Sequence, residues 1–377
     1  MSRPNAERGG REGQAAEPGA ARLRWALADA ERDGQPALFG VDQALGAVRG
    51  AGRMSGLEFL HVAAKRIINE VPAASAMPFR WTINAYRGCS HACSYCFARP
   101  THDYLGLNIG TDFDTKIVVK VNAVQKLRAE LRSPRWGGER IAMGTSTDPY
   151  QRAEAKYRLT RGIIEALGEA GNPFSILTRS PLVTRDLDVL VAAARRAPVG
   201  VSLSIPTLDQ RVWRSSEPGA PNPRRRVEAI RRLADAGIEV GVFIAPVLPG
   251  LSDRRDQLAE VVDAVVGAGA SSVSALALHL RPGMRGHYFS WLAMQHPQLR
   301  EGYLRAYRGG AQLDPHYRQQ LSITVRSLVD AARRRRRARL AADSGPGLPR
   351  GSGGSRPQAA RQPEPGSSRV IQDWHDP

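Results

Sequence analysis

The stretch NAYRGCSHACSYCFAR, residues 84–99, holds Cys89, Cys93 and Cys96, and these are the only cysteines among 377 residues. Three thiols within eight positions, spaced C-x3-C-x2-C, are a ligand set rather than a disulfide framework. A disulfide would leave one thiol over, and a chain whose N-terminus lacks an apolar leader is expected in the cytoplasm, where thiols stay reduced. A structural zinc site needs four ligands. No second cysteine pair exists, so zinc would have to recruit a histidine, His91 inside the loop or His102 just behind it. An iron–sulfur cubane normally takes four thiolates. With three, one iron keeps an open coordination position, which suits an enzyme that binds a ligand directly at the cluster. Both metal readings stay open on these residues alone.

The elements that must hold this loop alternate between short apolar strands and helical patterns. WTINAY (81–86) leads into the cysteines. ERIAMGTSTDP (139–149) precedes a helical pattern over 157–171, FSILTRS (174–180) one over 184–197, and VGVSLSIPT (199–207) one over 223–237. IEVGVFIAPVLPG (238–250) precedes a pattern over 252–269, and SSVSALALHLR (271–281) is the last strand. Six apolar strands joined by helices predict an α/β chain with a parallel sheet, either doubly wound or curved into a partial barrel. Both architectures place chemistry at the carboxyl ends of their strands. The cysteine loop follows the first strand, where such a site belongs.

This arrangement resembles the radical S-adenosylmethionine (radical SAM) superfamily, whose motif places an aromatic before the last cysteine, as Tyr95 stands here before Cys96. The resemblance implies a partial (βα)6 TIM-like barrel, a [4Fe–4S] cluster on Cys89, Cys93 and Cys96, and SAM chelating the fourth iron. It also implies a 5′-deoxyadenosyl radical that abstracts hydrogen from a substrate, and an external electron donor such as flavodoxin or ferredoxin. Over roughly 75–285, the segments YRGCSHACSYCFAR, GTSTDPYQRAE, LTRSPLVTRDLDVL, SLSIPTLD and IAPVLPGLSD resemble the spore-photoproduct-lyase-related branch. That branch often has Lys where this chain has Arg179. The substrate is left unnamed, with nucleic acid one class to consider.

The resemblance also implies cofactor-binding positions at strand ends. Ser204 is the candidate partner of the SAM ribose, with Ser202 on the same strand face because side chains alternate. Arg179 offers a rigid donor fork to the SAM carboxylate. Glu217, in a long proline-rich loop, faces either the SAM ammonium or one of Arg224, Arg225 and Arg226. Thr145 and Asp148 lie where the superfamily binds the SAM amino group, although its usual Gly-Gly-Glu is absent. Tyr95 is expected to pack its ring near the cluster. No Gly-rich phosphate loop, HExxH or nucleophile elbow supports a dinucleotide or hydrolase reading.

Composition sets the ends. Residues 1–40 and the Gly/Ser/Pro/Arg-rich 341–377 are expected to be disordered tails, because neither buries enough apolar surface to offset its ordering entropy. Between them the expected order is an extension over 41–74, the radical SAM core over 75–285 and a helical extension over 286–340. Net charge is +18, and ten arginines against four acids from Ala331 onward supply +6 of it. The run RRRRRARL (333–340) closes the last helical pattern. Such an excess attracts polyanions without selecting among them, which keeps a second class open: a nucleic-acid-binding protein with a structural cluster and no turnover. No stretch approaches the roughly 20 apolar residues of a membrane span.

Overall fold

Runs of β-branched residues build two sheets in the computed structural model, which describes residues 39–73, 75 and 77–343. The strands are β1 (Phe39–Arg49), β2 (Glu58–Ala64), β3 (Ile68–Glu70), β4 (Trp81–Ile83), β5 (Tyr86–Arg87) and β6 (Lys116–Lys120). They continue with β7 (Ile141–Met143), β8 (Phe174–Thr178), β9 (Val199–Ser204), β10 (Glu239–Val247) and β11 (Ser272–Ala277). The larger sheet has the order β11-β10-β9-β8-β7-β4-β3. Its six strands from β4 to β11 are mutually parallel, and β3 adds antiparallel at one edge. These six are the strands read from the sequence, in sequence order across the sheet, joined by helices as a partial (βα)6 barrel. The sheet is not closed on itself: β3 and β11 are its edges.

One face of each strand packs under the helices. Phe174 and Ile176 of β8, Val201 and Leu203 of β9, and Val240, Val242 and Ile244 of β10 are all buried. They meet helical faces such as Ile163, Ile164 and Leu167 of helix Leu159–Glu169, and Ala229, Ile230 and Leu233 of helix Pro223–Asp235. The helices begin where local chemistry places them. Asp209 accepts from the amides of Arg211 and Val212 to open Gln210–Ser216, and Asn222 caps Pro223–Asp235, with proline at the first helical position.

The opposite face carries small side chains in two rows, beside larger ones such as Leu177 and Phe243. Ala142, Ser175 and Gly200 stand in one row, and Ser202, Gly241 and Ser272 in another. A Cβ on Gly241 would come within 2.7 Å of Ser202 Oγ and 3.1 Å of Ser272 Oγ, so this row admits nothing larger.

A second sheet, β1-β2-β6-β5, flanks the first. Its strand β6 was not among the six expected strands. It lies in the 100–138 stretch, where the short run IVV (117–119) pairs with β2 and β5. After β11 come the helices Pro282–Gln295, Arg300–Ala306 and Pro315–Asp343. Three buried tyrosine hydroxyls tie them to strand-end loops: Tyr303 donates to Pro249 O, Tyr307 to Leu278 O, and Tyr317 to Asp253 Oδ2, at 2.8–2.9 Å. The last helix carries the arginine run on its exposed end and continues to Asp343. The tails expected over 1–40 and 341–377 lie almost wholly outside the described residues. No helix of the described residues is long and apolar enough to cross a membrane.

Candidate cofactor site at the strand ends

The cysteine loop leaves β5 through Gly88, which sits at φ +76°. A Cβ there would meet His102 Cε1 at 2.8 Å and Phe113 O at 2.9 Å, so both conformation and space require glycine. The Cys89 amide donates to Phe113 O at 2.9 Å. From the β7 end, Thr147 Oγ1 and Gln151 Nε2 donate to Gly88 O at 2.6 and 2.9 Å, and Gln151 Oε1 accepts from the Ser90 amide at 3.0 Å. From the far side, the Ser94 amide donates to Ser216 O, and Gly219 donates to His91 O. Beneath the loop lies Arg99, 1% exposed. It donates to Cys93 O, Ile109 O and Gly110 O at 3.0 Å each, and pairs with both oxygens of Asp114 at 2.8 and 3.1 Å. The loop backbone is thus held from three directions by side chains and main chain.

Cys89 and Cys93 are buried and Cys96 is half-buried. Burial raises all three thiol pKa values. Cys93 is pushed up to about 12 even though Arg179 and Arg226 pull the other way. Such thiols become thiolates only when a metal centre takes up their charge. Neither histidine completes a zinc set. His91 Nδ1 is turned to Asp148 Oδ2 at 3.3 Å, and His102 Nε2 lies 2.9 Å from Lys116 O with its ring edge-on to Phe113. Among the described residues no three His, Cys, Asp or Glu side chains converge around a single-ion position. Three thiols on one loop without a fourth protein ligand fit a multi-iron cluster with one iron left for a small ligand.

The residues expected beside the cluster fall into three groups. Asp148, at the end of β7, is buried and spent on the fold. It accepts from Tyr150 N (2.8 Å), Thr178 Oγ1 (2.6 Å) and Arg179 N (2.7 Å). Burial alone would raise its pKa, but His91 and these donors hold it at about 2. Thr145 Oγ1 accepts from Asn84 Nδ2 at 3.1 Å. Asp148 braces the cysteine loop through His91, and Thr145 ties the end of β7 to Asn84 just after β4. Ser202 lies deeper in the barrel, opposite Gly241.

Tyr95, Arg179, Ser204 and Glu217 come together. Arg179 Nε donates to Glu217 Oε1 at 3.1 Å, its Nη2 reaches Ala245 O at 3.3 Å, and its guanidinium lies 5.7 Å from the Tyr95 ring centre. The Tyr95 hydroxyl donates to the same Glu217 oxygen. Ser204 Oγ donates to Ala245 O at 2.8 Å and keeps its oxygen available as an acceptor. Glu217 is 2% exposed, yet its pKa falls to about 2: burial opposes ionisation, and Arg226 and Arg179 overcome it. Arg226, fully buried, donates to Glu217 Oε2, to Ser204 O at 3.0 Å and to Pro221 O at 2.7 and 2.9 Å.

By sequence alone Arg226 is one of three arginines, with Arg224 and Arg225, that could pair with Glu217. A signal did mark it out. It shares the buried helical face of Ala229, Ile230 and Leu233, and it stands in a first turn, where the helix dipole disfavours a cation. Arg99, Gln151 and His91 carry no such signal, because the groups they meet (the Asp114 carboxylate and nearby carbonyls, the backbone of Gly88 and Ser90, and the Asp148 carboxylate) are brought to them by the fold and not by a local pattern.

A partial barrel of six parallel strands, with three otherwise unpaired cysteines on the loop after its first strand, is the architecture of the radical SAM enzymes. The model of the radical SAM superfamily matches residues 83–262, and the chain belongs to that family. Its cofactors are accordingly a [4Fe–4S] cluster and S-adenosylmethionine. An uncharacterized protein of Mycobacterium tuberculosis is 45% identical over 333 residues, covering 87% of this chain and 96% of that protein. An uncharacterized protein of Methanocaldococcus jannaschii is 31% identical over 199 residues, 53% of this chain and 71% of its own length. Among solved structures, a spore photoproduct lyase variant aligns over 81% of this chain and 92% of its own, with a TM-score of 0.55 at 16% identity. Another variant, holding AdoMet and a dinucleoside spore photoproduct, aligns over 68% of this chain and 75% of its own, with a TM-score of 0.52 at 18% identity. At these identities the likeness is one of fold.

Proposed function

We propose that this enzyme reductively cleaves SAM and directs the resulting radical at a substrate lying in the hollow of the barrel. The observation that carries the reading is the meeting of Cys93, Tyr95, Arg179 and Ser204 at adjoining strand ends, next to the row of Ser202, Gly241 and Ser272. Cys89, Cys93 and Cys96 would hold the cluster, and Arg179 would grip the SAM carboxylate. Ser204 would accept from a ribose hydroxyl, and the Tyr95 ring would pack beside the cofactor under the Arg179 guanidinium. When bound, the reduced cluster supplies the electron that breaks the sulfonium bond and releases a 5′-deoxyadenosyl radical. The electron would come from a carrier such as flavodoxin or ferredoxin.

For the substrate we propose a nucleic acid. Phe97, next to Cys96, is 48% exposed, with Arg281 5.5 Å over its ring, and Arg285 caps Phe289 in the same way on the helix that follows. Rings interleaved with guanidinium groups suit stacked bases and phosphates, and the +18 charge supports the same class. Thiol-mediated return of a hydrogen atom is not part of the proposal, because all three cysteines lie in the cluster loop. Anaerobically reconstituted protein is expected to take up iron and sulfide and, with SAM and dithionite, to release 5′-deoxyadenosine. Cys89→Ala, Cys93→Ala and Cys96→Ala should each abolish both. Iron uptake and oligonucleotide binding without deoxyadenosine would instead indicate a binding module with a structural cluster. Stoichiometric zinc in place of iron would remove both readings.

A further inference from the structure

The Glu217 carboxylate is an unexpected neighbour for a residue meant to grip an anion. Glu217 accepts from Arg179 Nε, so taken as an isolated pair the two would cancel, and Arg179 would have little positive charge left for the SAM carboxylate. Arg226 changes that balance. It is 0% exposed, lies on the other side of Glu217 and donates to Oε2, while Arg179 and Tyr95 use Oε1. The three charged groups together keep one positive charge. The more exposed end of the cluster is Arg179, 24% exposed against 2% for Glu217. The remaining bonds of Arg226, to Pro221 O and Ser204 O, fix it to the loop and to the end of β9, so it cannot swing toward the cofactor itself.

We propose that Arg226 is a positioning residue for SAM: by occupying the second oxygen of Glu217 it leaves Arg179 with a net positive charge for the SAM carboxylate, and it touches no part of the cofactor. The inference rests on the reading that Arg179 meets that carboxylate. It differs from a purely structural role in what should restore binding. Removing Glu217 along with Arg226 returns the site to one positive charge, on Arg179, although two buried partners are gone.

The test uses the full chain, reconstituted anaerobically, with SAM affinity measured by isothermal titration, iron content by assay and folding by thermal melting. Arg226→Met should weaken SAM binding by about tenfold to a hundredfold, the size of one charge-assisted contact, with iron content unchanged. The double variant Glu217→Gln/Arg226→Met should recover affinity to within about threefold of wild type on the same scale. Decarboxylated SAM should bind wild type and Arg226→Met alike. Arg179→Ala serves as the control. If it binds SAM as wild type does, the reading of the site fails. If it loses affinity while Arg226→Met does not, the site stands and the role of Arg226 is overturned. Should Arg226→Met fail to fold or to load iron, the double variant decides: near-wild-type affinity supports the proposal, and a folded, iron-loaded double variant with weak SAM binding overturns it.

Discussion

Replacing Arg99 with Met should unfasten the cysteine loop while leaving its three ligands intact. The side chain is 1% exposed and donates five hydrogen bonds, three to carbonyls of the loop and its flank and two to Asp114. Met fills a similar volume, so little of the effect is cavity formation. What is lost is the donor set: three carbonyls and one carboxylate are left with fewer partners. Removing one member of a buried ion pair costs about 3–5 kcal/mol. Part of that is relieved here, because Asp114 can neutralise itself: burial already raises its pKa to about 6 against the pull of Arg99. Its folded pKa lies above the unfolded value, so the folded state holds its proton more tightly, and stability is lost as pH rises from about 4 through about 6. Without Arg99 the folded pKa rises further and the loss extends to higher pH. The difference between wild type and Arg99→Met should therefore be smaller at pH 5 than at pH 8. Urea denaturation at the two pH values measures it, and iron uptake under anaerobic reconstitution should fall in parallel. A variant with wild-type stability at pH 8 and full iron uptake would refute the view that Arg99 holds the loop in shape. An equal loss at both pH values would refute the part assigned to Asp114.

Two further outcomes test other parts of the frame. Gly219→Ala would bring a Cβ to 2.1 Å from Ser90 O, a backbone atom that cannot step aside. A loss of about 1–3 kcal/mol is expected, seen as a lower melting temperature together with poorer iron loading. Lys120, buried at the end of β6, has its pKa pushed down to about 7 by burial and by Arg87. The unfolded chain then binds the extra proton between pH 7 and about 10, so wild-type stability should rise with pH across that window. Lys120→Met should flatten this rise and be the more stable protein at pH 7, and melting curves at pH 7 and pH 9.5 check both statements.

The parallel strands were legible because burial under helices leaves an apolar imprint on the sequence: VGVSLS and IEVGVFIAPV carry it in full, and β9 and β10 lie within those runs. β6 was not, because KIVVK has only three apolar residues, flanked by lysines, although the helix Ala123–Leu131 follows it directly. Its place is set by pairing with β2 and β5, which no local pattern encodes. The same distinction runs through the site. The cysteine spacing is local and was read directly. The meeting of Arg179, Tyr95 and Glu217 is not local, since the Tyr95–Glu217 contact joins residues 122 positions apart.

Position at a strand end names which residues can reach a cofactor, but not how many of their hydrogen-bonding atoms remain free once the chain has folded. Thr145 and Asp148 are both expected from the sequence to meet the cofactor; Asn84 donates to the Thr145 hydroxyl and leaves its proton free, whereas Thr178, Tyr150 and Arg179 occupy the Asp148 carboxylate. A carboxylate held at about 2 by such partners is a brace, since breaking its bonds to serve a ligand would forfeit the interactions that ionise it. Glu217 follows the same logic: both of its oxygens are taken, so its effect on a ligand acts through the charge it leaves on Arg179. Residues left with capacity at this end of the barrel include Arg179, still partly exposed, Ser204, whose hydroxyl can accept while it donates to Ala245 O, and Thr145, whose hydroxyl can donate while it accepts from Asn84. Cofactor recognition by side chains should accordingly be concentrated in these three, with the cysteine loop and the strand-end backbone supplying the rest.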